Sequence, residues 1–218
     1  MRSDPNSTRI ASLCAGLVGA KINLGFTATL QNGKQLVGQI DNCNIVGDCM
    51  ENIVFSHISS SIETFTKGPK QASPDFFNEG VWEYELKCYS GTPGFDIGNV
   101  NAYIDELEHD LQRKLSTQYL IFEYSMCESE VTIQSFRHAR VWGLLNYAGK
   151  YPLSLQCKRG MWYNLRPCSA RDFNHPSKTP DLFIQQLCLA IESCPNQLIA
   201  ECREEKIKAI KEQWKNLI

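Results

Sequence analysis

The sequence predicts a single α/β domain over residues 1–218, in which helices flank a central mixed β-sheet. Two segments carry apolar residues at the helical spacing of 3.6, one from Ile45 to Ile58 and one from Val100 to Leu111. A strand-like segment lies between them and a buried strand follows, a series typical of a mixed sheet. With 218 residues, 43% of them hydrophobic, the chain is long enough to bury one such core.

Charge and hydropathy exclude several classes of protein. A net charge of −2 argues against a protein that coats nucleic acid by bulk attraction, but it is compatible with a local basic cleft. The stretch from Met1 to Ile10 is polar, and no segment approaches the roughly 20 apolar residues that cross a bilayer. We therefore expect a cytoplasmic protein with neither a membrane segment nor an organic cofactor.

The cysteines do not form a recognisable framework. None of the ten belongs to a CxxC pair, so we expect reduced, mostly buried thiols and no zinc site. They lie at positions 14, 43, 49, 88, 127, 157, 168, 188, 194 and 202.

The remaining elements follow from turn residues and alternation. Pro74 to Tyr89 predicts a β-hairpin that turns at Asn78-Glu79-Gly80, and Tyr119 to Met126 predicts a buried strand. A shorter strand is predicted from Val131 to Ser135. A second hairpin is expected where Leu153–Gln156 and Met161–Arg166 flank a turn. Two carboxy-terminal helices follow, one capped by Thr179 with Pro180 as its first residue and ending before Pro195, and one from Leu198 to Ile218.

The chemistry is concentrated in the first hairpin. Side chains alternate along a strand, so Glu85 and Lys87 project from one side while Leu86 points into the core. Antiparallel pairing around the turn brings Asp75 opposite Glu85. Two carboxylates on neighbouring strands could share one divalent cation, and such hard oxygen ligands favour Mg²⁺ over zinc.

This set of groups suits phosphodiester hydrolysis. The reaction needs an activated water, a polarised phosphate and a neutralised transition state, and a cation on Asp75 and Glu85 could serve all three. Lys87 beside it could orient the water and stabilise the developing charge.

The segment Pro74, Asp75, Glu85, Leu86 and Lys87 resembles the PD-(D/E)XK nuclease superfamily, and within it the Type II restriction endonucleases. The resemblance extends over about residues 45 to 126, because the predicted order of helix, hairpin, helix and strand is that of the superfamily core. It implies site-specific cleavage of double-stranded DNA with Mg²⁺, in a restriction–modification system, by a homodimer. It also implies a fourth participant, Glu51 on the first core helix.

Structural interpretations of the same residues remain open. Glu85 and Lys87 could belong to a solvated strand face, Asp75 could be a turn residue, and Glu51 could simply complement a helix dipole. Glu83 shares a face with Glu85 and competes with it for the metal. A second metal would need Glu51, Glu83 or Asp96.

The second hairpin is the candidate DNA-reading element, because Arg, Lys, Gln and Asn side chains can read base edges from a ribbon in the major groove. The residues are Gln156, Lys158, Arg159, Asn164 and Arg166. An exposed hairpin with solubilising charges is the alternative. Arg137, His138 and Arg140 form another basic cluster, for which a solvated face is favoured over phosphate contact.

Two other function classes are left open. One is a structure-specific repair nuclease or resolvase with the same core, which would cut nicked or branched DNA without sequence preference. The other is a noncatalytic DNA-binding module, which would bind DNA without regard to magnesium and cut nothing.

Overall fold

The structure is a computed structural model, and it describes residues 3–38, 42–70, 72–92, 94–145, 153–158, 161–167, 178–193 and 200–218. The helices over these ranges are α1 (Ser7–Ala15), α2 (Cys43–Ser59), α3 (Val100–His109), α4 (Leu111–Ser116), α5 (Pro180–Glu192) and α6 (Ala200–Leu217), with a short 3-10 helix at Val141–Leu144. The strands are β1 (Lys21–Asn23), β2 (Phe26–Thr29), β3 (Gln35–Gly38), β4 (Phe65–Lys67), β5 (Phe76–Asn78), β6 (Trp82–Tyr89), β7 (Gly98–Asn99), β8 (Gln118–Cys127), β9 (Glu130–Arg140), β10 (Leu153–Lys158) and β11 (Met161–Pro167).

The chain divides into two compact units. The sheet unit comprises residues 4–91 and 120–138, and the hairpin unit comprises residues 1–3, 92–119 and 139–218. The description of the whole chain as one domain stays a prediction. Across the described ranges, no helix has both the length and the apolar character needed to span a bilayer.

A six-stranded sheet organises the sheet unit, with strand order β1-β9-β8-β6-β5-β4. The pairs β1/β9, β4/β5 and β5/β6 are antiparallel. The predicted α/β architecture with a central sheet is therefore confirmed. Strand β8 matches the predicted Tyr119–Met126 closely, whereas β9 runs well past the predicted end at Ser135.

One face of this sheet packs against α2. The helix buries Val46, Met50, Val54 and Ile58, which recur every four residues and therefore line one side. Each such side chain contributes about 1.5–3 kcal/mol through burial. The helix runs from Cys43 to Ser59 and so includes the whole segment, Ile45 to Ile58, in which the sequence shows helical spacing.

The hairpin of β5 and β6 has the register expected from the sequence. Phe76 pairs with Tyr84 and Asn78 pairs with Trp82, which leaves a short loop of three residues between the strands. Glu79 and Gly80 in that loop both have positive φ, of 53° and 68°. Such backbone conformations are characteristic of tight hairpin turns, so the predicted turn is confirmed.

A buried carboxylate attaches the start of the chain to this hairpin. Asp4 is 3% exposed and accepts hydrogen bonds from the Asn78 side-chain nitrogen, at 2.8 Å for the nearer oxygen, and from the Tyr84 hydroxyl at 2.6 Å. The Asn6 backbone N–H donates to it at 2.7 Å. Three donor groups thus satisfy one buried charge.

The helix predicted from Val100 to Leu111 is divided in two. Asp110 has φ −151° and ψ 86°, which are not helical, and it separates α3 from α4. Its backbone N–H still donates to Glu106 O, while its side chain accepts from Arg113 N at 2.9 Å. Asp110 therefore ends one helix and caps the next, a role that short acidic side chains perform well.

The other elements of the hairpin unit follow the predictions. Strands β10 and β11 pair antiparallel, with an irregularity between Gln156 and Cys157, and β7 pairs with β11. The Thr179 hydroxyl accepts from Leu182 N at 3.2 Å, so the predicted cap of α5 is confirmed. Helix α5 ends at Glu192, before Pro195 as predicted. Helix α6 begins at Ala200, and its predicted start at Leu198 lies outside the described residues.

Candidate active site

Strand β6 places the candidate catalytic side chains by simple alternation. Tyr84 and Leu86 belong to the hydrophobic core beneath the sheet, so Glu85 and Lys87 project from the opposite face. The Lys87 Nζ lies 3.1 Å from Glu85 Oε2. Glu85 is 5% exposed, so this ion pair is largely withdrawn from water.

Asp75 is held by the backbone of the neighbouring strand. Phe76 pairs with Tyr84, so the next position back, Asp75, comes opposite Glu85. The Leu86 N–H donates to Asp75 Oδ2 at 2.6 Å. The structure therefore brings Asp75, Glu85 and Lys87 together, as the sequence predicts.

The surroundings of Asp75 disfavour the ionised form of its carboxyl group. Burial, and then the neighbouring carboxylate of Glu85, raise the pKa of Asp75 to about 6. The Lys87 ammonium and the Leu86 N–H act in the opposite direction but do not cancel this effect. Two carboxylates thus lie close enough to repel each other in a partly desolvated place.

Glu85 has a further partner that sequence inspection did not identify. The Ser73 hydroxyl donates to Glu85 Oε1 at 2.5 Å, while Lys87 donates to Oε2. Both carboxylate oxygens are therefore oriented. Ser73 directly precedes the Pro74-Asp75 pair, and this position is the one feature of the sequence that could have indicated its contact with Glu85.

Glu51 lies on α2 and forms an ion pair with Lys67. Its Oε1 lies 3.3 Å from Lys67 Nζ, which also donates to Asn52 Oδ1 at 2.6 Å and lies 5.4 Å from the Phe55 ring centroid. Glu51 makes the last and smallest contribution to the raised pKa of Asp75. It is therefore an electrostatic neighbour of the site, and Lys67 is a second cation that the sequence did not indicate.

The other acids weighed from the sequence are Glu83, which lies on the face of β6 that carries Glu85, and Asp96. Glu83 is 5% exposed and pairs across the hairpin with Phe77. Asp96 lies in the hairpin unit, where it forms an ion pair with Arg166.

The donor set at Asp75 and Glu85 fits a divalent cation that keeps part of its water shell. Within the described ranges, no group of three or more His, Cys, Asp or Glu residues is arranged to hold a metal by itself. Two carboxylates that repel each other, with one ammonium alongside, match the few hard oxygen ligands with which proteins hold Mg²⁺. Waters and substrate phosphate would complete such a shell.

The predicted DNA-reading residues form a network of their own. Gln156 and Asn164 are paired across β10 and β11, and Arg166 follows on the same face two residues later. Asn164 Nδ2 donates to Asp96 Oδ2 at 2.5 Å and lies 3.5 Å from Gln156 Oε1, while Arg166 Nε donates to Asp96 Oδ1. The sequence pattern gave Asp96 no such role. Arg159 and the side chain of Lys158 lie outside the described residues.

Known proteins resemble this chain in sequence and in fold. The family model for the NgoBV restriction endonuclease matches residues 25–216. The Type II restriction enzyme NlaIV of Neisseria lactamica is 33% identical over 104 residues, a match that covers 44% of this chain and 42% of that protein. The chain thus spans less than half the length of this curated relative. The solved NlaIV restriction endonuclease superposes with a TM-score of 0.70 at 21% identity, over 96% of this chain and 89% of that one.

The matches confirm two predictions. The likeness to the solved structure confirms the α/β fold with its mixed sheet flanked by helices. The family match confirms the resemblance to Type II restriction endonucleases that was based on Pro74, Asp75, Glu85, Leu86 and Lys87.

Proposed function

The chain belongs to the NgoBV restriction endonuclease family, and on that premise we propose that it is a Type II site-specific deoxyribonuclease. It hydrolyses phosphodiester bonds of double-stranded DNA with Mg²⁺, in the cytoplasm and as part of a restriction–modification system. The observation that carries the proposal is the convergence of Asp75, Glu85 and Lys87, where burial and then the Glu85 carboxylate raise the pKa of Asp75 to about 6.

Asp75 and Glu85 would hold the cation. Each presents oriented oxygens, since Leu86 N–H fixes Asp75 Oδ2 and Ser73 fixes Glu85 Oε1. Magnesium at this place would supply the positive charge that activates water and polarises the scissile phosphate. Its charge would also offset the repulsion between the two carboxylates, which is the second cause of the raised pKa of Asp75 after burial.

Lys87 would act on the phosphate itself. Its ammonium is a compact charge with three donors, and the Glu85 carboxylate holds it at 3.1 Å on the face of the sheet that carries both acids. A donor held in position before the reaction stabilises charge that develops in the transition state without reorganising. Lys87 would therefore orient the attacking water and neutralise the pentavalent phosphate.

Incubation of the protein with plasmid and phage DNA in the presence of Mg²⁺ tests the proposal. We expect discrete, reproducible fragments. Lys87→Met should lower the cleavage rate by about 10²–10³-fold, the usual loss when one such donor is removed. Lys21→Met is the matched control, because Lys21 pairs with Glu130 on the exposed surface and should leave the rate unchanged.

Other outcomes would point elsewhere. Cutting confined to nicked or branched DNA would favour a repair nuclease or resolvase. Binding of duplex DNA without any cutting would favour a noncatalytic module. Full activity in the Lys87→Met protein would remove Lys87 from the proposal.

We also propose that the β10–β11 hairpin reads bases. The Arg166 Nε donates to Asp96 Oδ1, and this hydrogen bond fixes the orientation of the guanidinium plane. Arginine in such a pose recognises a base edge with paired donors, each good pair contributing about 1–3 kcal/mol of discrimination. Arg166→Gln should relax or change the sequence that is cut, whereas Lys206→Gln, at an exposed ion pair of the same unit, should not.

Symmetry suggests the state of assembly. A twofold target would be matched by a homodimer, in which each copy cuts one strand. Sedimentation of the protein with and without duplex DNA checks this part of the proposal, and a monomer that cuts both strands would contradict it.

A further inference from the structure

A second polar cluster lies on the same strand as the candidate catalytic residues. Tyr89 follows Lys87 by two positions in β6, so both side chains project from the same face, with Cα atoms roughly 6.6 Å apart. The neighbouring strands β8 and β9 add Glu123, Ser135 and Arg137. We call Tyr89, Glu123, Ser135 and Arg137 the Arg137 cluster.

The hydrogen bonds of this cluster orient the guanidinium. Arg137 Nη1 donates to the Tyr89 hydroxyl at 2.6 Å, and that hydroxyl lies 3.4 Å from Glu123 Oε2. Ser135 Oγ donates to the same Glu123 oxygen at 2.8 Å. Burial, more than any charge nearby, raises the pKa of Tyr89, so the phenol keeps its proton at neutral pH.

The positive charge in this cluster lies beside a carboxylate and within reach of solvent. The nearest Arg137 and Glu123 atoms lie 3.9 Å apart, beyond hydrogen-bond distance. The contrast is Arg166, whose Nε donates directly to Asp96. The Arg137 side chain is also 37% exposed, so a ligand can reach it from solvent.

A DNA strand that reaches Lys87 must place a second phosphate nearby. Each strand of the duplex carries one charge per about 3.4 Å of axis, so the neighbours of a bound phosphate lie within several ångströms of it. Asp75, Glu85 and Glu123 on this face would repel such a group. The Arg137 guanidinium, hydrogen-bonded to Tyr89 two residues along β6 from Lys87, would attract it, and its planar fork suits phosphate oxygens.

We propose that Arg137, positioned by the Tyr89 hydroxyl, binds the backbone phosphate next to the one that Lys87 contacts. Glu123 limits the strength of this contact by its own charge. This inference rests on the proposed nuclease function and adds a phosphate-binding residue to it.

The salt dependence of DNA binding tests the role of Arg137. A short fluorescein-labelled duplex is titrated without divalent cation, so that nothing is cut, at several KCl concentrations from about 0.05 to 0.2 M. Arg137→Gln should weaken binding and reduce the slope of log K against log salt by about 0.9, the value for one lost phosphate contact. Arg137→Lys should keep the slope. Arg9→Gln is the matched control, because Arg9 contacts Ser61 O on an exposed part of the sheet unit.

The Glu123→Gln protein separates a phosphate site from a merely structural network. If Arg137 binds phosphate, removal of the neighbouring negative charge should tighten binding, opposite in sign to Arg137→Gln. If the network only supports the fold, both substitutions should weaken binding and lower the melting temperature together. An unchanged slope in Arg137→Gln, or weaker binding in Glu123→Gln, overturns the inference.

This experiment stays decisive if other parts fail. Should Arg137→Gln not fold, Glu123→Gln keeps Arg137 in place, and the sign of its effect on DNA binding gives the answer. Should the native protein cut no DNA with Mg²⁺, the proposed function fails while the binding slopes still decide whether Arg137 contacts phosphate.

Discussion

Two carboxylates contact the β5–β6 hairpin, the buried Asp4 and the half-buried Asp75, and their surroundings differ. Asp4 accepts hydrogen bonds from three neutral donor groups, among them Tyr84 on the core face of β6. Asp75, on the other face, accepts one described hydrogen bond, from the Leu86 N–H, and is opposed by a second carboxylate. The Asp4 carboxylate is stabilised by neutral hydrogen-bond donors, whereas the Asp75 carboxylate is repelled by the nearby Glu85 carboxylate.

The difference distinguishes a structural acid from a candidate catalytic one. Buried charges are stable when hydrogen bonds replace their hydration, as at Asp4. At Asp75 the missing compensation is what a cation would supply. The raised pKa of Asp75 within an otherwise well-packed hairpin therefore supports its proposed catalytic role.

The largest expected effect concerns cleavage. Asp75→Asn keeps an oxygen for the Leu86 N–H but removes the charge that would hold the cation, so the rate should fall by about 10³-fold. Asp4→Asn should leave the rate per folded molecule unchanged, because Asp4 lies on the core face. Plasmid cleavage normalised to folded protein measures both rates, and equal losses would abolish the distinction.

The next effect concerns stability. Asp4→Ala leaves the Asn78 amide, the Tyr84 hydroxyl and the Asn6 N–H without their acceptor, which should lower the free energy of unfolding by about 3 kcal/mol. Asp105→Ala is the control, since that carboxylate forms an exposed ion pair with Lys206 worth at most about 1 kcal/mol. Urea unfolding gives both values. A loss at Asp4 no larger than the control would show that its hydrogen bonds add little.

Removal of the Asp75 charge, unlike removal of Asp4, should stabilise the protein, and the gain should depend on pH. Its pKa in the folded protein is about 6, above the ordinary 3.8, so the folded state binds this proton more tightly than the unfolded state does. The resulting stability is fully present below about pH 4 and is lost as the pH rises through 6. Asp75→Asn should therefore be more stable than the native protein by roughly 3 kcal/mol at pH 7.5, and the difference should nearly vanish by pH 4. A difference independent of pH would contradict this account.

The smallest effect concerns Glu51. It contributes least to the raised pKa of Asp75 and is paired with Lys67. Glu51→Gln should thus weaken Mg²⁺ binding only about threefold, or roughly 0.6 kcal/mol. Calorimetric titration with Mg²⁺ measures this against Asp75→Asn, which should bind far more weakly. Equal losses would make Glu51 a ligand.

Local rules predicted the hairpin and its site because period and turn chemistry act over a few residues. Alternation in β6 set the faces of Glu85 and Lys87, and the Glu79-Gly80 turn set the register that brings Asp75 opposite Glu85. The helix cap at Thr179 was predicted by the same kind of local rule. The predicted roles of these residues in catalysis stay predictions until cleavage is measured.

What the sequence did not predict depends on contacts between distant segments. Asp4 meets Asn78 and Tyr84 across more than seventy residues, and Arg137 meets Tyr89 across forty-eight. No periodic pattern encodes such pairs. The break at Asp110 was missed for a different reason, because the apolar period continues through it while a capping side chain interrupts the helix.

The register of the β5–β6 hairpin also has a practical consequence. Pairing ends at Asn78 and Trp82, and Val81 in the loop beyond is 62% exposed. Residues inserted after Gly80 would lengthen the chain between Asp75 and Glu85 without moving either strand. The loop is therefore a suitable place for a peptide tag or a fluorophore that reports on the nearby centre while leaving its geometry intact.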